Sequence, residues 1–165
     1  MLLDVRDVHV HYQKVAALKG VSLQVPEGGI VTIVGANGAG KSTTLRSISG
    51  LVKPSKGEIL FKGERIDNLP PEKIVARGIA HVPEGRRVFP DLSVEENLRI
   101  GAFLRSDTAG IERDIESVFQ RFPRLRERRT QWARTLSAEF KSGALQYAPT
   151  GSRAASSRWW PSAVR

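Results

Sequence analysis

A glycine-rich stretch between an apolar run and a helical segment most constrains the fold of this chain. Residues Gly35-Ala36-Asn37-Gly38-Ala39-Gly40-Lys41-Ser42-Thr43 fit the pattern G-x-x-x-x-G-K-[ST]. Its glycines let backbone N–H groups approach a phosphate chain, because no Cβ stands in the way. Lys41 would add a positive charge at the β/γ-phosphates, and the hydroxyl of Ser42 would bind Mg²⁺. The stretch therefore predicts a nucleotide-phosphate site.

The segments on either side of the loop agree with this prediction. Residues 29–34, Gly-Ile-Val-Thr-Ile-Val, are apolar and mostly β-branched, which predicts a buried strand. Residues 42–49 show helical spacing and are followed by Gly50, which predicts a short helix. That helix would direct the positive end of its dipole at the bound anion. A strand, a glycine-rich loop and a helix in this order predict an α/β nucleotide-binding fold.

Composition limits the compartment and the partners. The chain has 165 residues, enough for one domain with a sizeable core. It contains no cysteine, which excludes disulfides and thiolate metal sites. The N-terminus lacks a signal-peptide core and no apolar run is long enough to span a membrane, so a cytoplasmic location is expected. The net charge of +9 is spread along the chain without interleaved aromatics, and no nucleic-acid partner is expected.

The remaining patterns predict an alternation of strands and helices. Ser93 followed by Glu96 predicts a capping box at the start of a helix. The other predicted elements are strands at 2–10, 21–25, 58–64 and 79–82, and helices at 72–77, 94–104 and 111–122, with a break at 107–110.

With these elements in place, the chain resembles the ATP-binding subunits of ABC transporters from Leu2 to about Ser137. Within that family it is similar to the ATPase subunits of bacterial branched-chain amino-acid importers. The resemblance implies a P-loop NTPase core with an antiparallel β subdomain at its edge. It rests on His11-Tyr12, Ala17-Leu18-Lys19-Gly20-Val21-Ser22-Leu23, Val34 to Thr43, Ser49-Gly50-Leu51, His81-Val82-Pro83-Glu84-Gly85-Arg86 and Phe89-Pro90-Asp91-Leu92-Ser93-Val94-Glu95-Glu96-Asn97-Leu98.

The resemblance also implies roles for residues outside the glycine-rich loop. Tyr12 corresponds to the aromatic residue that stacks on adenine. Glu84 stands where most of the family has glutamine, in a loop that senses Mg²⁺, and a carboxylate can bind Mg²⁺ as an amide oxygen does. The region from Glu84 to Leu92 would contact the membrane permease, with Phe89 as its apolar anchor. A second ATPase subunit and a peripheral position on the inner face of the membrane are implied as well.

The resemblance stops after Leu136-Ser137. Ala138-Glu139-Phe140-Lys141 follows, where the family signature continues with two glycines. No apolar run ending in Asp-Glu comes later, and no histidine follows His81. We therefore expect a partial ATPase domain at 1–137, incomplete at its C-terminus, and a disordered tail at 138–165. No complete catalytic set is assigned, and nucleotide binding is expected to be weak and hydrolysis absent.

A shift of reading frame is one hypothesis for the tail. Residues 154–165 can be back-translated so that reading from one base earlier gives Gly-Gly-Glu-Gln-Gln-Met-Val-Ala-Ile-Gly-Arg-Ala, a continuation typical of the signature. Tryptophan has a single codon, so the part of this match at Trp159-Trp160 does not depend on a choice of codon. The alternative is a natural C-terminal extension. The DNA that encodes Ser137 and the bases downstream of it distinguishes the two.

Three other interpretations stay open for the chain as a whole. It could be an inactive fragment that binds nucleotide weakly or not at all. It could be a different P-loop NTPase, although the absence of Asn-Lys-x-Asp speaks against a GTPase. It could also be a basic binding module in which the loop has no role.

Overall fold

The fold is taken from a computed structural model that describes residues 1–85 and 88–136. The chain divides into two compact units, residues 1–81 and residues 82–165. The predicted boundary at 137 and the predicted disordered tail, 138–165, lie outside the described residues.

The first unit is built on a four-stranded antiparallel sheet. Its strands are β1 (Leu3–Tyr12), β2 (Val15–Val25), β3 (Lys56–Phe61) and β4 (Glu64–Arg65), in the spatial order β2-β1-β3-β4. The strands predicted at 2–10, 21–25 and 58–64 are confirmed as β1, the second half of β2 and β3, and their apolar positions face one hydrophobic cluster. Its buried members are Val5, Val8, Val10, Leu18, Ile48, Ile59, Phe61, Ile66 and Ile74.

Two helices pack their apolar side chains into this cluster. Helix α1 (Lys41–Ile48) begins directly at the glycine-rich loop and contributes Ile48. Helix α2 (Pro71–Ala76) contributes Ile74 and begins with a proline, which suits the first turn because its missing N–H would have no partner there. The sequence predicted both helices to within one or two residues.

The predicted strands at 29–34 and 79–82 are wrong. Neither segment forms a strand in the described part of the chain, and Ile30, Val31 and Val34 are exposed rather than buried. A strand needs a neighbour that accepts and donates its backbone hydrogen bonds. Within residues 1–85 and 88–136, the sheet consists of β1 to β4, and none of them pairs with either segment.

The second unit is helical in its described part. It contains α3 (Val94–Ile100), α4 (Thr108–Arg121), α5 (Pro123–Glu127) and a 3-10 turn (Ala133–Thr135). No helix of the described residues is both long and apolar enough to cross a membrane. Its core is a second hydrophobic cluster whose buried members are Val94, Leu98, Ile115, Phe119, Leu125, Ala133 and Leu136.

The boundaries of these helices differ from the expectation in two places. The capping box is confirmed: the Ser93 hydroxyl accepts from the Glu96 N–H at 3.2 Å, and the Glu96 carboxylate accepts from the Ser93 N–H at 2.7 Å. Helix α3 ends at Ile100 instead of continuing to 104. Helix α4 begins before the predicted break has ended, because Gly110 lies in its first turn and donates to the carbonyl of Asp107 at 2.9 Å.

An ion-pair network centred on Glu95 connects α3 to the segment after α5. The Glu95 carboxylate accepts hydrogen bonds from Arg99 at 2.9 Å and from Arg129 at 2.8 Å. Arg99 also pairs with Glu112 of α4 at 2.6 Å. The bonds from Arg129, and then those from Arg99, lower the pKa of Glu95 from 4.5 to about 2. The charged carboxylate therefore stabilises the folded second unit.

We predict that this stabilisation depends on pH in a defined window. The pKa of Glu95 is lower in the folded than in the unfolded chain, so its contribution is present above about pH 4.5 and is lost as the pH falls towards 2. Urea midpoints of the parent and Glu95→Gln should differ at pH 6 and converge near pH 2. Glu127→Gln, which removes an exposed carboxylate with no ion pair to another described residue, should follow the parent at every pH. A constant difference across the window would contradict the prediction.

Candidate phosphate-binding site

The predicted phosphate loop is a turn that ends where α1 begins. Gly38 and Gly40 have φ angles of 85° and 91°, in the left-handed region that favours glycine. The Ala39 N–H donates to the carbonyl of Ala36 at 3.1 Å, which closes the turn. The first N–H groups of α1 have no acceptor within the helix. This geometry offers several N–H dipoles to one anion.

Gly40 is held against the sheet by close packing. A Cβ added at Gly40 would lie 2.5 Å from Cδ2 of Leu18 and 2.9 Å from the carbonyl oxygen of Ala17. Neither distance leaves room for a side chain. Gly38 is different, because a Cβ there meets no atom within 4 Å. The end of the loop is therefore fixed on β2, whereas its middle faces open space.

The side chain of Lys41 lies back over the loop. Its Nζ donates to the carbonyl oxygens of Gly35 at 2.7 Å and Ala36 at 2.8 Å. These bonds hold the ammonium group at the beginning of the loop. An anion bound there would meet both the dipoles and this charge. The predicted residues from Gly35 to Thr43 are thus brought together in one place.

The two residues predicted to bind Mg²⁺, Ser42 and Glu84, belong to different units. Ser42 is an exposed residue in the first turn of α1, which suits a ligand shared with a phosphate oxygen. Glu84 is an exposed residue of the second unit, so a shared ion remains a prediction. Within the described residues, no group of three or more His, Asp or Glu side chains could hold a metal ion. The site thus fits Mg²⁺ that arrives with a nucleotide, since such an ion needs only one or two protein ligands.

Tyr12 lies at the end of the hairpin formed by β1 and β2. It pairs in register with Val15, and both side chains are exposed. Val15 stands two residues before Ala17, whose carbonyl contacts Gly40. At about 3.3 Å per residue along a strand, β2 connects the aromatic side chain to the phosphate loop over a short span. This placement is compatible with stacking on a base, which stays a prediction for Tyr12.

The predicted permease-contact loop is organised by Asn97, a residue that the sequence analysis did not single out. The buried amide of Asn97 accepts from the Phe89 N–H at 2.8 Å and donates to the carbonyls of Phe89 at 3.0 Å and Ser93 at 2.9 Å. The Phe89 side chain is 54% exposed. A sequence signal for this role was present: Asn97 lies one turn inside a capped helix that follows a Phe-Pro-Asp-Leu loop, and an asparagine side chain readily bonds to nearby backbone groups.

The segment before Leu136 pairs with the same loop. The Ala133 N–H donates to the carbonyl of Leu92 at 2.9 Å, and the Arg134 N–H donates to that of Pro90 at 3.0 Å. The Arg134 side chain also pairs with Asp91 at 3.0 Å. The loop from Phe89 to Leu92 is therefore held both by Asn97 and by the backbone of residues 133–134. Residues 86 and 87 of the predicted contact region lie outside the described residues, as does Ser137.

Comparison with known proteins decides the family. The family model described as ABC transporter matches residues 18–150, which include the whole phosphate loop. The chain belongs to the ABC transporter family. It is 45% identical to the high-affinity branched-chain amino acid transport ATP-binding protein BraG of Pseudomonas aeruginosa, over 82% of this chain and 58% of BraG. It is 37% identical to the probable branched-chain amino acid transport ATP-binding protein LivF of Archaeoglobus fulgidus, over 76% of this chain and 53% of LivF.

Solved structures of the family confirm the fold. An ATP-binding subunit of an ABC transporter aligns with a TM-score of 0.76 and 32% identity, over 90% of this chain and 60% of that subunit. The predicted P-loop NTPase fold of the ABC ATPase class, with an antiparallel β subdomain, is therefore confirmed. The chain spans little more than half the length of BraG and LivF. It is thus similar to one part of an ABC ATPase.

We predict that the two left-handed glycines of this ABC ATPase domain respond differently to alanine. Gly40→Ala and Gly38→Ala both force a residue with a Cβ into the left-handed region, at a cost of about 1–2 kcal/mol. Only Gly40→Ala also drives a Cβ into Leu18 and Ala17. Urea unfolding should therefore show the larger loss of stability for Gly40→Ala, by about 1–3 kcal/mol. Equal losses would contradict the close packing on β2.

Proposed function

We propose that this chain binds ATP with Mg²⁺ as part of the ATP-binding subunit of an importer for branched-chain amino acids. The observation that carries the proposal is the turn from Gly35 to Gly40, with the Lys41 ammonium bound to the carbonyls of Gly35 and Ala36. An ammonium group beside several N–H dipoles and a helix N-terminus is a site for a phosphate chain. Membership of the ABC transporter family favours ATP as the nucleotide, and the geometry of the loop is compatible with ATP.

Each residue of the site has a separate task in this proposal. The backbone N–H groups from Gly38 to Lys41 bind phosphate oxygens, and Gly40 keeps them in place through its contact with β2. Lys41 releases the carbonyls of Gly35 and Ala36 and turns its charge to the β/γ-phosphates. Tyr12 stacks on the adenine, while Thr43 stands beside Ser42 at the start of α1. Mg²⁺, when bound through Ser42 and Glu84, offsets the charge of the phosphates.

The choice of branched-chain amino acids as the cargo rests on the names of BraG and LivF. Other relatives in the family are named for the import of ribose or of spermidine and putrescine. Membership of the ABC family alone therefore does not define the cargo. A Nod factor export ATP-binding protein of Cupriavidus pinatubonensis also aligns over 82% of this chain, at 36% identity. The higher identity of BraG, 45% over the same share of this chain, favours the amino-acid importers.

The proposed partners follow from the same assignment. The loop around Phe89 would contact a membrane permease on the cytoplasmic side, because an exposed aromatic side chain on a rigid backbone is suited to anchor an interface. Asn97 keeps that backbone rigid. A second ATPase subunit would complete the nucleotide site from outside.

ATP hydrolysis by this chain alone is not part of the proposal. Phosphoryl transfer needs a positioned water and charge stabilisation on several sides of the γ-phosphate. The described residues supply the phosphate loop, and no residue is assigned to activate the water. The alternative is a chain with an idle loop that binds no nucleotide, and retention on immobilised ATP distinguishes the two.

We predict that Lys41→Ala abolishes this retention. Loss of a hydrogen bond to a charged group costs about 1.5–3 kcal/mol, so ATP affinity should fall about tenfold or more. Isothermal titration with Mg²⁺ and ATP measures the change. Lys53→Ala removes an exposed lysine of the loop before β3 and is the matched control, which should bind as the parent does. Equal affinity of both variants would refute a role for Lys41.

We predict that Tyr12 recognises the base and not the phosphates. Stacking of a base on an aromatic ring contributes about 1–3 kcal/mol. Tyr12→Ala should therefore weaken ATP binding while leaving the affinity for inorganic triphosphate unchanged. Tyr12→Phe, which keeps the ring, should restore ATP binding. If Tyr12→Ala weakened both ligands equally, Tyr12 would act through the stability of the hairpin and not through adenine.

A further inference from the structure

The turn at the tip of the hairpin between β1 and β2 places a glutamine in a backbone conformation that favours glycine. Tyr12 pairs with Val15, so Gln13 and Lys14 are the two residues of the loop. Gln13 has a φ angle of 55°, in the left-handed region. A positive φ at the first residue of a two-residue hairpin loop is characteristic of type I′ and II′ turns, in which glycine, asparagine and aspartate predominate. The turn thus explains the conformation of Gln13 but not the presence of a glutamine.

In the described part of the chain, two further non-glycine residues have a positive φ, and each is held by a hydrogen bond of its own backbone. The Asp7 N–H donates to the hydroxyl of Ser22 at 2.9 Å. The Lys62 N–H donates to the carbonyl of Leu2 at 2.8 Å. Gln13 instead lies at the tip of the hairpin with an exposed side chain. An observed departure from the preferred backbone conformation is a ground for a functional hypothesis, and at Gln13 the hypothesis concerns this side chain.

The residue next to Gln13 is the one to which the base is assigned. In the proposed function, adenine stacks on the ring of Tyr12, which is 43% exposed. Successive Cα atoms are about 3.8 Å apart, so a base on this ring lies within reach of the flexible side chain of Gln13. Stacking alone distinguishes adenine poorly from guanine, because every base presents a π-face. A distinction between the two purines requires a hydrogen-bonding group at the edge of the base.

The amide of a glutamine matches the edge of adenine better than that of guanine. Adenine presents the N6 amino group, a donor, beside the acceptor N7, whereas guanine presents two acceptors, O6 and N7. The amide of Gln13 offers an acceptor oxygen and a donor nitrogen, so it can form two bonds with adenine and one with guanine. Lys14, the other residue of the loop, has only donors, which fit the two acceptors of guanine better. A preference for adenine is therefore expected from Gln13 and not from Lys14.

We propose that Gln13 is a specificity-determining residue that binds the N6 and N7 edge of the adenine and makes this chain prefer ATP to GTP. The inference rests on the proposed function, because it requires a nucleotide in the phosphate loop and a base on Tyr12. The amide binds the base, while the turn imposes the left-handed backbone. These two features are separable, since a glycine keeps the turn and removes the amide. A bidentate contact of this kind corresponds to a preference of about fivefold or more.

A glycine at position 13 tests the role of the amide without disturbing the turn. Isothermal titration of the 165-residue chain with Mg²⁺ and ATP, GTP or 7-deaza-ATP, which lacks N7, measures the three affinities. The parent should bind ATP about fivefold or more tightly than GTP, and 7-deaza-ATP more weakly than ATP. Gln13→Gly should bind all three nucleotides equally. Its urea midpoint should equal or exceed that of the parent, because glycine is at ease in the left-handed region.

An arginine at the same position tests the direction of the preference. A guanidinium group donates to O6 and N7 of guanine together, so Gln13→Arg should bind GTP more tightly than ATP. Gln120→Arg makes the same change of charge at an exposed position of α4 and should keep the preference of the parent. Lys14→Ala, which removes the other side chain of the loop, should also retain the preference for ATP.

Three results would each overturn the inference while leaving the phosphate site in place. The parent could bind ATP and GTP equally. The ratio of the two affinities could be the same in Gln13→Gly as in the parent. The preference could also disappear in Lys14→Ala and persist in Gln13→Gly. In these cases a loss of ATP binding in Lys41→Ala would still support the proposed function, so the two proposals fail separately. A parent chain that binds neither nucleotide would overturn both.

Discussion

The contact of Gly40 with Ala17 and Leu18 is the interaction on which the nucleotide site depends. Leu18 is a buried member of the sheet cluster, and the Ala17 carbonyl next to it belongs to the same strand. Because no side chain fits at Gly40, the loop can approach β2 closely enough for α1 to begin there. The Gly40 carbonyl then accepts both the N–H and the hydroxyl of Thr44, at 2.8 and 3.0 Å. The absence of a side chain at Gly40 therefore allows the sheet, the loop and the helix to meet at this residue.

Local patterns predicted the elements whose partners lie close in the sequence or whose signals are chemical. The strand at 2–10, the helix at 72–77 and the reciprocal bonds of Ser93 and Glu96 each appear in the structure close to where they were expected. The phosphate loop was predictable for the same reason, since its glycines are needed for the backbone of the loop itself. The state of residues 29–34, which form no strand in the described part of the chain, was not predictable in this way. Its sequence is typical of a strand, but its formation depends on a neighbour elsewhere.

Tertiary context also explains the residues that sequence reasoning missed. Asn97 forms part of an ordinary helical pattern, and its importance comes from a loop that folds back over it to meet its amide. Glu95 is a first-turn acid whose role depends on Arg129, which lies far along the chain. Ala17 matters only because Gly40 is packed against it. The contacts of Glu95 with Arg129 and of Ala17 with Gly40 join residues that no local window contains.

The two ends of the phosphate loop differ in how they are held. Gly40 fixes the end of the loop on β2, whereas Ile30, Val31 and Val34, which precede Gly35, are exposed and pair with no strand of the described residues. An ordered strand at 30–34 would fix the beginning of the loop as well. A phosphate chain binds more tightly to N–H groups that are already in place, because less conformational entropy is lost on binding. Linkage requires the converse, so bound nucleotide would favour order at residues 30–34 by the same factor. The order of this segment would thus affect how tightly the chain retains ATP.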